Sequence, residues 1–253
     1  MQKAGGEDCR LLFVVLDVNG MRKFPLIGKT FASVMPLNTG ETMNFTEIDL
    51  ETWHRRAYFN HYLEVVPCSY SMTTKLDITK VKQRGLPLYP TMLYLLTKTV
   101  HEFEQFRTAF RPDGSLVVYQ EMSPSYTVFH QDSETFSNLW TEYTEDYPAF
   151  CRRYRQDNSQ FGSVEKLFAK PDQPENSFTV SMVPWCSFDS FHLHTEGYRY
   201  LLPVFTLGRY QEIGGNYWIP IAVQVHHAVC DGFHVCRFIN RLQEFLNEEL
   251  PAV

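Results

Sequence analysis

Near the C-terminus, Val235, Phe238, Ile239, Leu242, Phe245 and Leu246 recur at i, i+3, i+4 spacing, which predicts an amphipathic helix with one buried face. Met92, Leu93, Leu96, Val100 and Phe103 follow Pro90 with the same period and predict a second helix, since proline suits a first turn. Residues 68–78 alternate and are rich in Ser, Thr and Tyr, the pattern of a strand. Further strands are expected at 116–120, 126–130, 178–183, 187–193, 201–207 and 217–225. Thr46 and Asp49 resemble a capping box followed by Leu50, Trp53, Ala57 and Tyr58 at helical spacing, so a helix is expected there and another over 136–154. The sum is an α/β domain of the two-layer α+β kind, a large mixed sheet flanked by helices.

Residues 1–42 break this regularity, with Gly20, Pro25, Gly28, Pro36 and Gly40 at turn-like intervals. They are expected to be a weakly structured extension, with the folded domain at 43–253. Gly28-Lys29-Thr30 looks like the end of a phosphate loop, but Lys23 stands where the motif needs its first glycine. The apolar run 11–16 stops at Asp17, far short of the ~20 residues that span a bilayer, and Glu7 and Asp8 occupy the place of a basic signal-peptide segment.

With 44% hydrophobic and 21% charged residues, the chain is not a disordered or fibrous protein. Its formal net charge of −6 offers no basic field for a phosphate backbone, so nucleic acid is not an expected partner, and neither is a membrane. The six cysteines contain no C-x-x-C pair, which argues against a zinc module and for reduced thiols in a cytoplasmic protein. Aromatic residues make up 15% of the chain, a surplus suited to an interface or a pocket for a flat ligand as well as to a core.

The segment richest in chemistry is Gln224-Val225-His226-His227-Ala228-Val229-Cys230-Asp231-Gly232-Phe233-His234, on an expected strand-to-helix turn. Successive strand side chains point to opposite faces, so His226 and His227 do not share one role, which also argues against a metal site built from both and Asp231. A neutral imidazole suits general-base catalysis on a hydroxyl. The sequence has no G-x-S-x-G nucleophile elbow. Direct attack of a bound alcohol on a bound acyl donor needs no enzyme nucleophile, only a base, an oxyanion donor and two aligned substrates.

This run resembles the active-site signature of the trimeric chloramphenicol acetyltransferases. Further matches in the same order are Trp53-His54-Arg55-Arg56, taken to lie in the first helix, then Pro67-Cys68, Tyr126-Thr127-Val128-Phe129-His130-Gln131, Glu134-Thr135-Phe136-Ser137, Pro184-Trp185 and Phe238-Ile239-Asn240-Arg241-Leu242. The shorter H-x-x-x-D-G core is shared with lipoyl acyltransferase cores and peptide-synthetase condensation domains. The resemblance implies that His227 is the general base and that Asp231 forms a buried ion pair with Arg55 that fixes the turn. It implies that Ser181 stabilises the oxyanion and Thr206 holds a water near it.

By the same resemblance, Tyr62, Cys68, Tyr70, Thr127, Phe136, Phe168 and Leu193 would line the chloramphenicol pocket, and Tyr210 would meet the adenine end of the coenzyme. His61 and Thr179 stand where better-known members often carry Phe and Asn. Acetyl-CoA is implied as co-substrate, with no tightly bound cofactor and no metal, and the assembly implied is a homotrimer with intersubunit sites. Two other readings stay open: a related CoA-dependent acyltransferase with another acceptor, and a non-catalytic homologue that sequesters the drug.

Overall fold

Strand β10, Asn216–His226, alternates Ile219, Ile221, Val223 and Val225 with Pro220, Ala222, Gln224 and His226, and all eight are buried. A strand buried on both sides needs cover on both faces of its sheet. The protein is described here from a computed structural model, which covers residues 44–193 and 199–252. All of these belong to one unit, Met43–Val253. The expected extension at 1–42 lies outside the described residues.

In chain order the elements are β1 (Phe45–Glu47), α1 (Arg56–Asn60) continuing as a π-helical turn (His61–Val65), β2 (Ser69–Asp77), α2 (Thr79–Gln83) and α3 (Leu88–His101). A 3-10 turn (Glu104–Phe106) leads to β3 (Thr108–Phe110), β4 (Leu116–Tyr119), β5 (Ser123–His130), β6 (Thr135–Trp140) and α4 (Tyr147–Phe161). β7 (Ser177–Val183), β8 (Val204–Gly208), β9 (Gln211–Ile213), β10 and α5 (Gly232–Asn247) complete them. The large sheet runs β2-β10-β8-β7-β5-β6, with β9 paired to β10, and a small sheet runs β1-β4-β3. β7 is parallel to β5 and β8 while the other pairs are antiparallel, so the large sheet is mixed.

Helices α3 and α5 cover one face of the large sheet. Of the predicted α5 stripe, Val235, Phe238, Leu242, Phe245 and Leu246 are fully buried and Ile239, at its edge, is half-buried. Phe238 stacks on Phe106, at 4.4 Å, and on Phe205 of β8, at 5.1 Å. Much of the aromatic surplus is therefore core.

The opposite face carries short polar side chains in register, among them Thr179 and Ser181 on β7, Thr206 on β8 and Gln224 on β10. Irregular chain covers it. The alternation at 187–193 comes from packing onto this face, but no strand forms there. The Phe191 N–H donates to Thr73 Oγ1 and the Leu193 N–H to Gln224 Oε1, so side chains take the place of a neighbouring ladder. Phe188 and Pro220 close on Gly208, where a Cβ would sit 2.6 Å from Pro220 Cγ and 2.8 Å from Phe188 Cε1.

Four more expectations are corrected. Thr46 lies in β1, paired with Val118, instead of capping a helix, because β4 supplies backbone partners. Helix α1 starts only at Arg56, so Trp53, His54 and Arg55 precede it. The pattern over 136–154 joins two elements: β6, paired with β5, and α4, capped by Asp146 accepting the Ala149 N–H with proline in the first turn. The strand expected at 201–207 begins at Val204, after Pro203. No helix among the described residues is long and apolar enough to cross a membrane.

Candidate active site

The five residues His227 to Asp231 link the end of β10 to the start of α5. The His227 N–H donates to the Cys68 carbonyl just before β2, at 2.9 Å. His226 turns the other way and is buried, its Nδ1 accepting the Ala228 N–H at 3.2 Å. The two histidines thus divide as strand alternation requires.

Arg55, only 9% exposed, reaches this turn from a place 172 residues earlier in the chain. Its Nε donates to the Ala228 carbonyl at 2.8 Å and its Nη2 to the His227 carbonyl at 3.0 Å. Its Nη1 and Nη2 grip the two Asp231 oxygens at 2.7 and 2.6 Å, the bidentate geometry that makes such pairs strong. These hydrogen bonds from Arg55 hold the Asp231 carboxyl below its ordinary range against the opposing effect of desolvation. The expected ion pair is present but only half buried, since the Asp231 side chain keeps 35% of its surface while Arg55 is enclosed. The clamp on two backbone carbonyls exceeds what the motif discloses.

The His227 ring lies face to face with Tyr62, centroids 3.9 Å apart and planes 11° off parallel, with the Tyr70 ring edge-on at 5.4 Å. Its Nδ1 is shut off from solvent, 3.1 Å from Asp231 Oδ1 but without an aligned hydrogen bond. The His227 side chain as a whole is 28% exposed. The Tyr70 hydroxyl donates to the Cys230 carbonyl at 3.2 Å, and burial pushes both that hydroxyl and the Cys230 thiol up in pKa. Cys230 is also fully buried, an environment that disfavours the reactive thiolate.

His227, Asp231, Arg55, Tyr62, Cys68 and Tyr70 thus meet at one end of β10. The other expected residues gather elsewhere. Ser181 and Thr206 are register partners on β7 and β8, both buried, and they share the polar sheet face with Thr127 and Phe136. Phe168 bridges to Asn138 beside β6 and is 45% exposed, and the Leu193 N–H is held by Gln224. Thr206 pairs with Ala222, five residues before His227, and Ser181 is one strand further out. At about 3.3 Å per residue and about 4.8 Å per strand, Ser181 and His227 of one chain stand roughly 15–20 Å apart. Tyr210 forms a third group: its hydroxyl accepts from Lys82 Nζ at 3.2 Å, and that ammonium also faces its ring.

One participant was not assigned a role from the sequence. The Asp231 N–H donates to His234 Nδ1 at 3.0 Å. The signal was available in the spacing, an aspartate at a helix start with a side-chain acceptor three residues on, but histidine occupies the place usual for Glu or Gln.

The chloramphenicol acetyltransferase family profile matches residues 43–243. Curated chloramphenicol acetyltransferases similar to this chain include that of Campylobacter coli, 54% identical over 207 residues that span 81% of this chain and 100% of that protein. That of Vibrio anguillarum is 52% identical over 81% of this chain and 95% of its own, and chloramphenicol acetyltransferase 3 of Escherichia coli 42% over 82% and 100%. Among solved structures, a chloramphenicol acetyltransferase superposes with TM-score 0.67 at 22% identity, covering 80% of this chain and 100% of that one. The dihydrolipoamide acetyltransferase of Azotobacter vinelandii shares the fold at TM-score 0.57 and 14% identity, over 86% and 96%. By profile and by identity over nearly all of 43–253, the chain belongs to the chloramphenicol acetyltransferase family, a family of acyltransferases.

Proposed function

We propose that this protein moves the acetyl group of acetyl-CoA to the primary hydroxyl of chloramphenicol in a ternary complex, without a covalent enzyme intermediate. His227 Nε2 takes the hydroxyl proton as the oxygen attacks the thioester carbonyl carbon. The C–S bond then breaks and the leaving thiolate takes the proton back from the imidazolium. The observation that carries this reading is the state of His227. Its Nδ1 is buried 3.1 Å from the Asp231 carboxylate, which favours the proton on that nitrogen and the lone pair on Nε2.

Ser181 would donate to the oxyanion, with Thr206 holding a water beside it and Tyr210 meeting the adenine end of the coenzyme. The separation of Ser181 from His227 within one chain supports a site completed between subunits, as in a homotrimer. Tyr62, Cys68 and Tyr70 of one subunit would then face Thr127, Phe136, Phe168 and Leu193 of the next. Phe168 at 45%, Trp185 at 54% and Val65 at 70% exposure provide apolar surface for such contacts. The free thiols of Cys68, Cys151, Cys186, Cys230 and Cys236 suit a reducing cytoplasm.

The test is release of CoA thiol from acetyl-CoA in the presence of chloramphenicol. His227→Ala should lower kcat by at least about 10³-fold, since base and alignment are lost together, with the thermal midpoint close to wild type. Full turnover in that variant refutes the mechanism. Tight chloramphenicol binding by wild type with no CoA release means sequestration. Acetylation of a dithiol such as dihydrolipoamide, with none of chloramphenicol, means a different acceptor.

A further inference from the structure

His234, like His226, has no task in the reaction, but unlike His226 it holds the backbone of Asp231 itself. It lies at the third position of α5, and its Nδ1 accepts the backbone N–H of Asp231 at 3.0 Å. A backbone amide only donates, so this nitrogen carries a lone pair and the ring is neutral in the folded state. The same nitrogen lies 3.8 Å from Asp231 Oδ2, and the ring is mostly enclosed, with 18% of the side chain exposed. Arg55 holds both carboxylate oxygens of Asp231, and His234 holds its backbone N–H.

We propose that His234 is a positioning residue, closing a capping box from the far side of Asp231 so that the carboxylate, Arg55 and the His227 carbonyl keep one geometry. This rests on His227 being the base. Arg55 and His234 then hold the turn from opposite ends, one through the carbonyls of His227 and Ala228, the other through the amide of Asp231. The charged groups around the ring are Asp231, Arg55 and Arg237. Burial chiefly, with both arginines adding, holds its pKa down, while Asp231 pulls the other way. Protonation would turn Nδ1 into a donor facing a donor and open the box.

The experiment compares His234→Ala with His234→Gln, since glutamine is an ordinary capping-box partner at this position. His234→Ala should lower kcat about tenfold or more with KM for both substrates nearly unchanged, and lower the thermal midpoint by about 2–4 °C. His234→Gln should restore both. It should also lose less activity than wild type on mild acidification, because it has no proton to gain at that place. Full kcat in His234→Ala overturns the proposal, and so does a Gln variant as impaired as Ala. If wild type proves not to acetylate chloramphenicol, the functional reading fails by itself, and the midpoints of the two variants still decide whether the box closes.

Discussion

Replacing Arg55 with methionine keeps an unbranched side chain of comparable length and removes five N–H donors from beneath the turn. The His227 and Ala228 carbonyls lose their partners, the second in a buried and the first in a partly buried setting, at about 1–3 kcal/mol each where unsatisfied. Asp231 loses a bidentate partner, but its side chain keeps 35% exposure and water replaces part of that loss. The total therefore belongs at the lower end of the range for breaking a buried pair, about 3–4 kcal/mol. For a domain of this size that is a drop in thermal midpoint of roughly 10 °C. Activity should fall further than stability, because the backbone that carries the His227 imidazole is no longer fixed. The assay is thermal unfolding followed by tryptophan fluorescence, with CoA-thiol release on the protein that remains folded at 20 °C. A second variant, Asp231→Asn, shares the same interaction, so the losses in the double variant should be less than additive. A midpoint within 2 °C of wild type and unchanged turnover in Arg55→Met would refute the clamp.

Acid sensitivity should trace in part to His101, whose Nε2 accepts the Met122 N–H at 2.8 Å, and whose pKa burial, aided by Arg107, holds down at about 4. The folded value lies below the unfolded one, so this stability is complete above about pH 6.5 and is lost as pH falls toward 4. Urea unfolding should find wild type about 2 kcal/mol less stable at pH 5 than at pH 7 from this group, and His101→Gln should flatten the slope. An identical slope in both proteins would assign the acid sensitivity elsewhere. Gly208→Ala drives a methyl group into Pro220 and Phe188, so it should cost about 1–3 kcal/mol, read as a lower urea midpoint. An unchanged midpoint would mean that the covering chain yields freely.

Much of the fold was legible because its elements obey local rules. α5, β2, β7 and β10 follow their periodicities to within about two residues. Two of the misses share one cause. At Thr46 and at 187–193 the local pattern was sound, but the partner for the backbone hydrogen bonds lay far away in the chain: β4 for the first, and the side chains of Thr73 and Gln224 for the second. In the candidate site, His227, Asp231 and Arg55 were identified through their resemblance to a family, while His234 stood in the quoted run with no role attached.

By itself the sequence determined the periods of α3, α5, β2 and β10, the strand-to-helix segment that bears His226, His227 and Asp231, and membership in a family of acyltransferases. Those are local patterns, or matches of order along the chain. Only the tertiary structure decided that Arg55 grips two carbonyls as well as Asp231, that Tyr62 stacks on His227, and that Ser181 stands two strands away from the base. These are contacts between residues tens to more than a hundred positions apart, and which of them form depends on how the strands are ordered in the sheet. That order, β2-β10-β8-β7-β5-β6, joins segments far apart in the chain, so no local pattern encodes it.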